Sequence, residues 1–181
     1  MRVISGSARG RRLKEPAGFD IRPTSDMVKE SVFNIVQFDV EGRRVLDLFA
    51  GSGQLGIEAL SRGAKSAVFV DSSPEAAKLI RQNLALCGFS GFGAVYVRDA
   101  VKHLERDSDT FDLILIDPPY DTPLLSEVLR AIIRFDKLNT NGIIMCETKA
   151  GVTAPAAASP YFLCRDYKYG STKIIKYGRQ V

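Results

Sequence analysis

The sequence predicts an α/β fold with a mostly parallel, seven-stranded sheet, and three observations lead to that prediction. From Arg44 onward, short apolar runs alternate with segments whose apolar residues recur at helical spacing. Repeated strand–helix units of this kind require parallel strands. The last two apolar segments have no helix between them and flank a turn at Tyr169-Gly170-Ser171, which predicts an antiparallel C-terminal hairpin.

The composition is that of an ordinary globular domain. The chain has 181 residues, of which 45% are hydrophobic and 25% charged, enough to bury one core. It has no apolar run of membrane-spanning length and no signal-peptide pattern, so we expect no membrane association. Three widely spaced cysteines (Cys87, Cys146 and Cys164) indicate free thiols in a reducing compartment, and cytoplasm is the expected location. The single histidine, His103, is predicted to occupy a solvated helix position, and no metal site is expected.

The first 41 residues are predicted to form a basic extension, followed by the main domain at residues 42–181. Residues 2–5 and 11–14 predict a β-hairpin, which is followed by a helical pattern of apolar residues at Val28, Val32, Ile35 and Val36. Thr24 or Ser25 could cap this helix. Residues 1–14 carry five basic side chains and no acidic one, and the stretch from Cys164 to the end carries five against one. This charge at both ends favours a polyanionic partner.

The main domain then follows in order. Strands are predicted at residues 45–49, 67–70, 94–97, 113–116 and 143–147, with the hairpin strands at 162–164 and 173–177. Helices are predicted at residues 55–61, 74–86, 101–104 and 123–135, with Pro74 suited to a first helical turn. Asn141-Gly142 is predicted as the turn before the fifth strand.

A glycine loop follows the first predicted strand. Gly51, Gly53 and Gly56 form a G-x-G-x-x-G pattern, and Asp71 ends the next strand. This is formally the dinucleotide fingerprint, in which glycines allow close backbone approach and the acid accepts ribose hydroxyls, so NAD is one candidate cofactor.

Acidic residues at the strand ends favour a different cofactor. Asp47 lies beside the loop, where it would repel a pyrophosphate but suit an ammonium group, such as that of S-adenosylmethionine. Asp99 follows the third strand, where it could face an adenine. Asp47, Asp71 and Asp99 thus end three successive strands at the ligand-binding edge. The predicted cofactor-binding residues are Asp47, Phe49, Gly51, Gly53, Asp71, Ser72, Asp99 and Ala100.

The fourth predicted strand ends at Asp117-Pro118-Pro119-Tyr120. Two prolines cannot donate to a sheet ladder, so they end the strand and stiffen the backbone beyond it. A carboxylate, backbone carbonyls and an aromatic ring are therefore expected together at the carboxyl end of a central strand, where ligands bind in open α/β sheets.

These motifs resemble those of class I S-adenosylmethionine-dependent methyltransferases, which have a Rossmann-like fold. Over nearly the full length, the chain is more narrowly similar to the RsmD family. The similar segments are residues 1–6, 9–13, 22–26, 29–35, 56–63 and 169–172. The resemblance implies methyl transfer from S-adenosylmethionine to the exocyclic N2 of a guanine in 16S ribosomal RNA, of the guanine-966 type. It also implies a small-subunit particle as the partner, with a monomeric enzyme.

The resemblance gives each motif a hypothetical role. Asp117 and the Pro118 carbonyl would accept the hydrogens of the target amine, Pro119 would complete the motif, and Tyr120 would stack on the base. Phosphate contacts are expected from the basic extension, with the candidate residues Arg9, Arg11, Arg12, Arg22 and Thr24, the last of which could instead cap its helix. The sequence departs from the family pattern at Arg98, where glycine is expected, and at Ser72.

Two other functions remain open at this level. An adenine-N6 DNA methyltransferase, or another amine methylase, could use the same Asp-Pro-Pro-Tyr motif, although the chain has little room for a base-reading domain. A protein that binds RNA with a methyltransferase fold but without activity is the alternative from a different class. A nicotinamide enzyme comes third.

Overall fold

A seven-stranded sheet forms the centre of the computed structural model, which describes residues 1–15 and 26–180. The strands are β1 (Arg44–Leu48), β2 (Ser66–Asp71), β3 (Gly93–Val97), β4 (Phe111–Ile116), β5 (Leu138–Lys149), β6 (Tyr161–Tyr169) and β7 (Thr172–Arg179). Their order is β3-β2-β1-β4-β5-β7-β6. Strands β1 to β5 pair with one another in parallel, whereas β7 is antiparallel to both β5 and β6. The predicted fold class and its antiparallel C-terminal hairpin are confirmed.

Within the described residues, five helices accompany the sheet. They are α1 (Asp26–Ile35), α2 (Gln54–Ser61), α3 (Pro74–Cys87), α4 (Ala100–Arg106) and α5 (Leu124–Arg134). Alternate residues of each strand join different apolar clusters. Val45 and Leu113 pack with α1, α2 and α3, while Leu46 and Ile114 pack with α4 and α5. This alternation produces three layers, in which the central strands β1 and β4 are buried on both faces as their apolar sequences require, while the edge strands β3 and β6 are largely exposed.

Local sequence signals set the ends of α3. The Ser73 hydroxyl accepts a hydrogen bond from the Ala76 N–H, and Pro74 occupies the first turn, where its missing N–H costs nothing. Gly88 ends the helix in the left-handed conformation, with φ of 77°. The position of Pro74 in the first turn is confirmed, and the helix extends one residue beyond the predicted range of 74–86.

The fifth strand differs from its prediction. It runs from Leu138 to Lys149 and passes through Asn141-Gly142, so the prediction of a turn there is wrong. Asn141 has a φ of 61°, and the pairing of β4 with β5 shifts register between Phe111 and Leu113. The Asn-Gly pair therefore produces an irregularity within the strand instead of ending it.

His103 is also placed differently from its prediction. Its side chain is buried rather than solvated, and its ring lies 5.2 Å from that of Tyr96, centroid to centroid. Ala100, His103 and Leu104 form the buried face of α4, so the i, i+3, i+4 spacing was the signal that the sequence reading missed. Burial lowers the pKa of His103 and favours the neutral imidazole.

Residues 1–15 pack against α2 and α3. They form the predicted hairpin in a short version, in which Arg2 and Arg12 form an antiparallel bridge and the chain turns at residues 7–10. The Val3 N–H donates to the Arg11 carbonyl at 2.9 Å, and the Leu13 N–H donates to the Met1 carbonyl at 3.2 Å. Val3, Ala8 and Leu13 join the apolar cluster on the α2 face of the sheet. The division of the chain into an extension and a main domain after residue 41 stays a prediction.

A buried charged network attaches this segment to α2. The fully buried Glu58 carboxylate accepts the backbone N–H groups of Ile4 at 2.8 Å and Ser5 at 3.0 Å. It also pairs with the buried Lys29 ammonium at 3.6 Å and with the Arg62 guanidinium at 2.9 Å. Because the buried Glu58 would lose two backbone donors and Lys29 would lose the Arg2 carbonyl if the segment left, the network fixes residues 1–15 on the domain.

Two further findings concern the described residues. All three cysteines are free thiols, as expected. Among residues 1–15 and 26–180, no helix is long and apolar enough to cross a membrane.

Candidate active site

The glycine loop turns the chain sharply at the carboxyl end of β1. Gly51 and Gly53 have φ values of 55° and 78°, and Phe49 has a φ of 61°, which is uncommon for a residue with a side chain. The Gly53 N–H donates to the Ala50 carbonyl at 2.7 Å, closing the turn before α2 begins. Glycine is needed at two of these positions because L side chains rarely adopt such a conformation.

Asp47 lies beneath this loop. Its side chain is buried, and one carboxylate oxygen accepts the Gly56 N–H at 2.8 Å. A Cβ atom at Gly56 would lie 2.3 Å from the Phe69 ring and 3.1 Å from Asp47 Oδ2, so only glycine fits this approach of α2 to the sheet. Burial raises the pKa of Asp47 well above its ordinary value, and the nearby negative charges of Asp117 and Asp71 act in the same direction.

The other two strand-end acids also bond to backbone N–H groups. Asp71 accepts the Gly51 N–H at 2.8 Å through one oxygen and the Ser73 N–H at 2.9 Å through the other. Asp99 caps α4 by accepting the Lys102 N–H at 3.0 Å. Asp71 therefore holds the glycine loop against the end of β2. The carboxylate oxygens of both acids have further lone pairs, which can accept hydrogen bonds from the hydroxyl or amino groups of a ligand.

A pocket opens between the ends of β1, β2 and β4. It is lined by Phe49, Val70, Asp71, Ser72, Arg98, Asp99, Ala100, Pro119 and Leu124. Five predicted cofactor residues, namely Phe49, Asp71, Ser72, Asp99 and Ala100, meet there with the predicted catalytic residue Pro119. Asp47, Gly51 and Gly53 do not line this pocket and instead shape the loop beside it. The structure thus brings five of the eight predicted cofactor-binding residues and one of the four predicted catalytic residues together around one cavity.

Three lining residues were not predicted. Val70 precedes Asp71 in its strand, and Leu124 begins the helix after the Asp-Pro-Pro-Tyr motif, so both adjoin recognised signals. Arg98 was noted only as a departure from glycine. Its guanidinium carbon lies 5.8 Å from the centroid of the Tyr96 ring, a cation–π contact that places a planar cation at the pocket wall.

The Asp-Pro-Pro-Tyr motif follows β4 directly. Asp117 is partly buried, Pro118 is buried, and Pro119 is exposed toward the pocket. The Tyr120 hydroxyl donates to Glu147 Oε1 at 2.9 Å and lies 3.4 Å from Thr172 Oγ1. Burial raises the pKa of Tyr120 to about 12, so its hydroxyl stays protonated and donates throughout the neutral range. Glu147 and Thr172 were absent from the predicted site, since they lie far from Tyr120 in the sequence.

The basic N-terminal residues lie on the surface, and Ser7 and Ala8, next to Arg9, bond to Ser61 at the C-terminal end of α2, away from the glycine loop. Arg9, Arg11 and Arg12 are exposed. The Asn83 amide of α3 connects the loop to this segment, because it donates to the Ser52 carbonyl at 2.9 Å and to the Lys14 carbonyl at 3.1 Å. Its oxygen accepts the Lys14 N–H at 2.8 Å. The remaining RNA-binding candidates, Arg22 and Thr24, lie outside the described residues.

The donor set fits S-adenosylmethionine. Phe49, Val70 and Leu124 offer apolar walls for a nucleoside base, while the Asp71 and Asp99 carboxylates can accept hydrogen bonds from ribose and adenine. The glycine loop allows a ligand close to its backbone, and the Asp47 carboxyl beneath it accepts the Gly56 N–H and so holds the loop in place. Within the described residues there is no group of three or more His, Cys, Asp or Glu side chains that could hold a metal ion.

Comparisons with known proteins agree with this geometry. A family model described as "Conserved hypothetical protein 95" matches residues 1–178. Ribosomal RNA small subunit methyltransferase D of Escherichia coli is 30% identical over 180 residues, covering 99% of this chain and 90% of that protein. YlbH of Bacillus subtilis is 40% identical over 183 residues, covering 99% of this chain and 100% of that protein.

A solved structure extends the likeness to three dimensions. The yhhF protein from Escherichia coli superimposes with a TM-score of 0.89 at 30% sequence identity, covering 99% of this chain and 98% of that chain. The similarity includes both the N-terminal segment and the glycine-loop domain. The chain therefore belongs to the RsmD family of S-adenosylmethionine-dependent methyltransferases, which the ribosomal RNA small subunit methyltransferases D represent.

Proposed function

We propose that this protein transfers the methyl group of S-adenosylmethionine to the exocyclic N2 of a guanine in 16S ribosomal RNA. The observation that carries the proposal is that Pro119 of the Asp-Pro-Pro-Tyr motif shares a pocket with Phe49, Asp71 and Asp99. A cofactor held by these residues would lie next to an amine held at Asp117. The full-length likeness to ribosomal RNA small subunit methyltransferase D supports the choice of ribosomal RNA.

The cofactor site would use the strand-end acids together. Asp71 would accept the ribose hydroxyls, and Asp99 and Ala100 would face the adenine. Asp47, only 1% exposed, would act on the ammonium group through its charge and through the loop that it supports. When bound, S-adenosylmethionine supplies an electrophilic methyl group on a positively charged sulfur.

The acceptor site would prepare a poor nucleophile. The lone pair of an exocyclic amine is delocalised into the base ring, so the enzyme must orient it. If the Asp117 carboxylate and the Pro118 carbonyl accept the two amine hydrogens, the nitrogen lone pair points toward the methyl donor. The negative charge of Asp117 also stabilises the positive charge that develops on nitrogen in the transition state. No strong general base is required, because the amine proton becomes acidic once the new bond forms.

The RNA would contribute a flipped base and a charged backbone. Tyr120 would stack on the base after it leaves its neighbours, at a cost of about a few kcal/mol in a loop or bulge. Exposed Arg9, Arg11 and Arg12 would bind phosphates without reading sequence, and Arg22 and Thr24 are proposed with them. Since Asn83 joins Lys14 to Ser52, the Lys14 end of this basic segment is anchored beside the cofactor loop.

We also propose that the enzyme acts as a monomer in the cytoplasm on an assembling small-subunit particle. Free 16S RNA and isolated particles, offered separately with labelled cofactor, would identify the preferred substrate. Light scattering of the purified protein would measure its oligomeric state.

Mass-spectrometric mapping of 16S RNA, with and without this protein, tests the main proposal. The expected result is one N2-methylguanine that is present only when the protein is active. Methylation of an adenine in duplex DNA would instead support the DNA enzyme. Binding of RNA with no methylation of any substrate would favour a non-catalytic RNA-binding protein.

The basic segment is tested separately. Charge reversal of Arg11 and Arg12 together should weaken RNA binding, and the slope of log affinity against log salt should become shallower because fewer counterions are released. Unaltered affinity across a salt series would reject the segment as a phosphate-binding surface.

A further inference from the structure

The hydroxyl of Tyr120 reaches two strands that lie beyond the Asp-Pro-Pro-Tyr motif. Glu147 is near the end of β5 and Thr172 begins β7, and both side chains are buried. In the antiparallel pairing of these strands, Glu147 lies opposite Ile174, two residues from Thr172. Glu147 and Thr172 are therefore diagonal neighbours on one face of the sheet, and together they receive the Tyr120 hydroxyl.

We propose that Glu147 and Thr172 are positioning residues that fix the Tyr120 ring in the orientation needed to stack on the target base. This role rests on the proposed function, because it assigns a purpose to an interaction within the same site. Neither residue contacts the cofactor pocket, so their effect on the reaction would pass through Tyr120.

The ring is held at both of its ends. At the backbone end, Pro119 restricts the chain before Tyr120, and the Thr122 hydroxyl donates to the Pro119 carbonyl at 2.8 Å. Asp121, the next residue, has a φ of 63° and forms an ion pair with Lys149 of β5. At the other end, the hydroxyl is bonded to Glu147. A side chain with two rotatable bonds that is fixed at both ends presents its faces in one orientation.

The hydrogen bond is suited to this role. Glu147 is 7% exposed and Thr172 is 6% exposed, so water competes little for these groups. The carboxylate is a strong acceptor, and hydrogen bonds to charged groups are stronger than neutral ones. Because Tyr120 keeps its proton at neutral pH, the donor is always available.

Fixing the ring before the base arrives would lower the entropy cost of stacking. It would also hold the base at a constant angle to Asp117, and misplacement of about 1 Å can cost roughly 100-fold in rate. Loss of the hydroxyl should therefore affect the methylation step as well as RNA affinity.

Four variants separate positioning from general stability. Tyr120→Phe keeps the ring but removes the donor, and Glu147→Met keeps the side-chain length but removes the acceptor. Glu147→Gln and Thr172→Ser are the conservative variants, since both keep a group that can accept the hydroxyl proton. Thr148→Val is a matched control, because Thr148 is equally buried in β5 but forms no hydrogen bond with Tyr120 among the described contacts.

The kinetic measurement is a double-mutant cycle with 16S RNA as the substrate. Tyr120→Phe and Glu147→Met should each lower kcat about 10-fold, while the double variant should be little worse than either one. Glu147→Gln and Thr172→Ser should keep kcat within about threefold of the wild-type value. Calorimetry with S-adenosylhomocysteine should show wild-type cofactor affinity in all four variants. The Thr148→Val control should also keep wild-type cofactor affinity.

Stacking is measured directly by placing the fluorescent base 2-aminopurine at the target position of the RNA. The wild-type protein should quench its fluorescence on binding, and Tyr120→Phe and Glu147→Met should reduce that quenching to a similar extent. Multiplicative losses in the cycle, or wild-type quenching in both variants, would overturn the positioning role. If the wild-type protein methylates no RNA at all, it is the proposed function that fails.

Discussion

On the cofactor side of the sheet edge, the acidic side chains are held by backbone groups. Asp47, Asp71 and Asp99 accept N–H groups that lie 9, 20 and 3 residues away in the sequence. On the acceptor side, the Tyr120 hydroxyl meets side chains that lie 27 and 52 residues away. The two halves of one site are therefore built by different means.

This difference has a consequence for how each half can change. The cofactor half is a local structure, in which a loop folds back onto the acids that flank it. The acceptor half depends on the pairing of β4, β5 and β7, because only that pairing brings Tyr120 to Glu147 and Thr172. A substitution in one half should leave the other largely intact.

Asp117→Ala has the largest expected effect, and it tests whether the acceptor half can lose its function while the cofactor half stays intact. Removing the carboxylate takes away both an amine acceptor and the charge that stabilises the transition state. Turnover should fall by about 100-fold or more, while affinity for S-adenosylhomocysteine should stay near the wild-type value. Turnover is measured with labelled cofactor and 16S RNA. Near-normal turnover in the variant would show that Asp117 has no such role.

Asp71→Ala tests the cofactor half. It removes the acceptor of the Gly51 and Ser73 N–H groups as well as the proposed ribose contact. Hydrogen bonds to charged groups contribute about 1.5–3 kcal/mol each, so cofactor affinity should fall by roughly 10- to 100-fold or more in calorimetry. Asp99→Ala is the control and should lose less, because Asp99 is exposed and accepts one backbone N–H. Equal losses in the two variants would contradict the special role of Asp71.

Gly56→Ala tests the packing beneath the loop. The added methyl group would meet the Phe69 ring at 2.3 Å, and overpacking of this kind costs about 1–3 kcal/mol in the free energy of unfolding. Gly91→Ala is a matched control, because a Cβ there has no heavy atom within 4 Å. Urea unfolding of both variants would measure the difference, and similar stabilities would show that α2 can move away from the sheet at little cost.

Asp47→Asn should have a smaller effect that depends on pH. The pKa of Asp47 is raised in the folded state above its ordinary value of 3.8, so the folded protein binds this proton more tightly than the unfolded chain. This contribution to stability is fully present below about pH 4 and is lost as pH rises through the folded-state pKa. The Asn variant cannot titrate, and its amide oxygen can still accept the Gly56 N–H.

The stability of the Asp47→Asn variant relative to the wild type should therefore increase from pH 4 toward pH 8, as measured by urea unfolding at each pH. A constant difference would show that Asp47 does not titrate in this window. Weaker cofactor binding in the same variant would support the proposed action of Asp47 on the ammonium group.

The contrast between the halves also explains how much the sequence could predict. Gly51, Asp71 and the Asp-Pro-Pro-Tyr motif were recognised because their roles depend on neighbours within a few residues or on one strand–helix unit. The mostly parallel sheet with its antiparallel C-terminal hairpin followed from the alternation of strands and helices for the same reason, whereas the strand order is known only from the structure. These features depend on local chemistry and on the topology that it requires.

The residues that were missed depend on distant contacts. Glu147 carries no local signal, and Thr172, although it ends a segment that is similar to the family, has no assignable role until β4, β5 and β7 are paired. Asn83 lies within an ordinary helix and gains its role from Lys14, 69 residues away. His103 is buried because it lies on the side of α4 that also carries Ala100 and Leu104. A polar residue at one of these positions made the buried face of the helix hard to recognise in the sequence.

The Glu58 network has a consequence for the dynamics of the N-terminal segment. Segments that lie outside a sheet commonly open by themselves and exchange their amide hydrogens quickly. Here, releasing residues 4 and 5 would leave the Glu58 carboxylate without two of its donors, although it would remain buried beside Lys29. The amides of Ile4 and Ser5 should therefore exchange with solvent as slowly as those of the central strands. A segment that carries the proposed RNA contacts would then meet its substrate as a rigid surface.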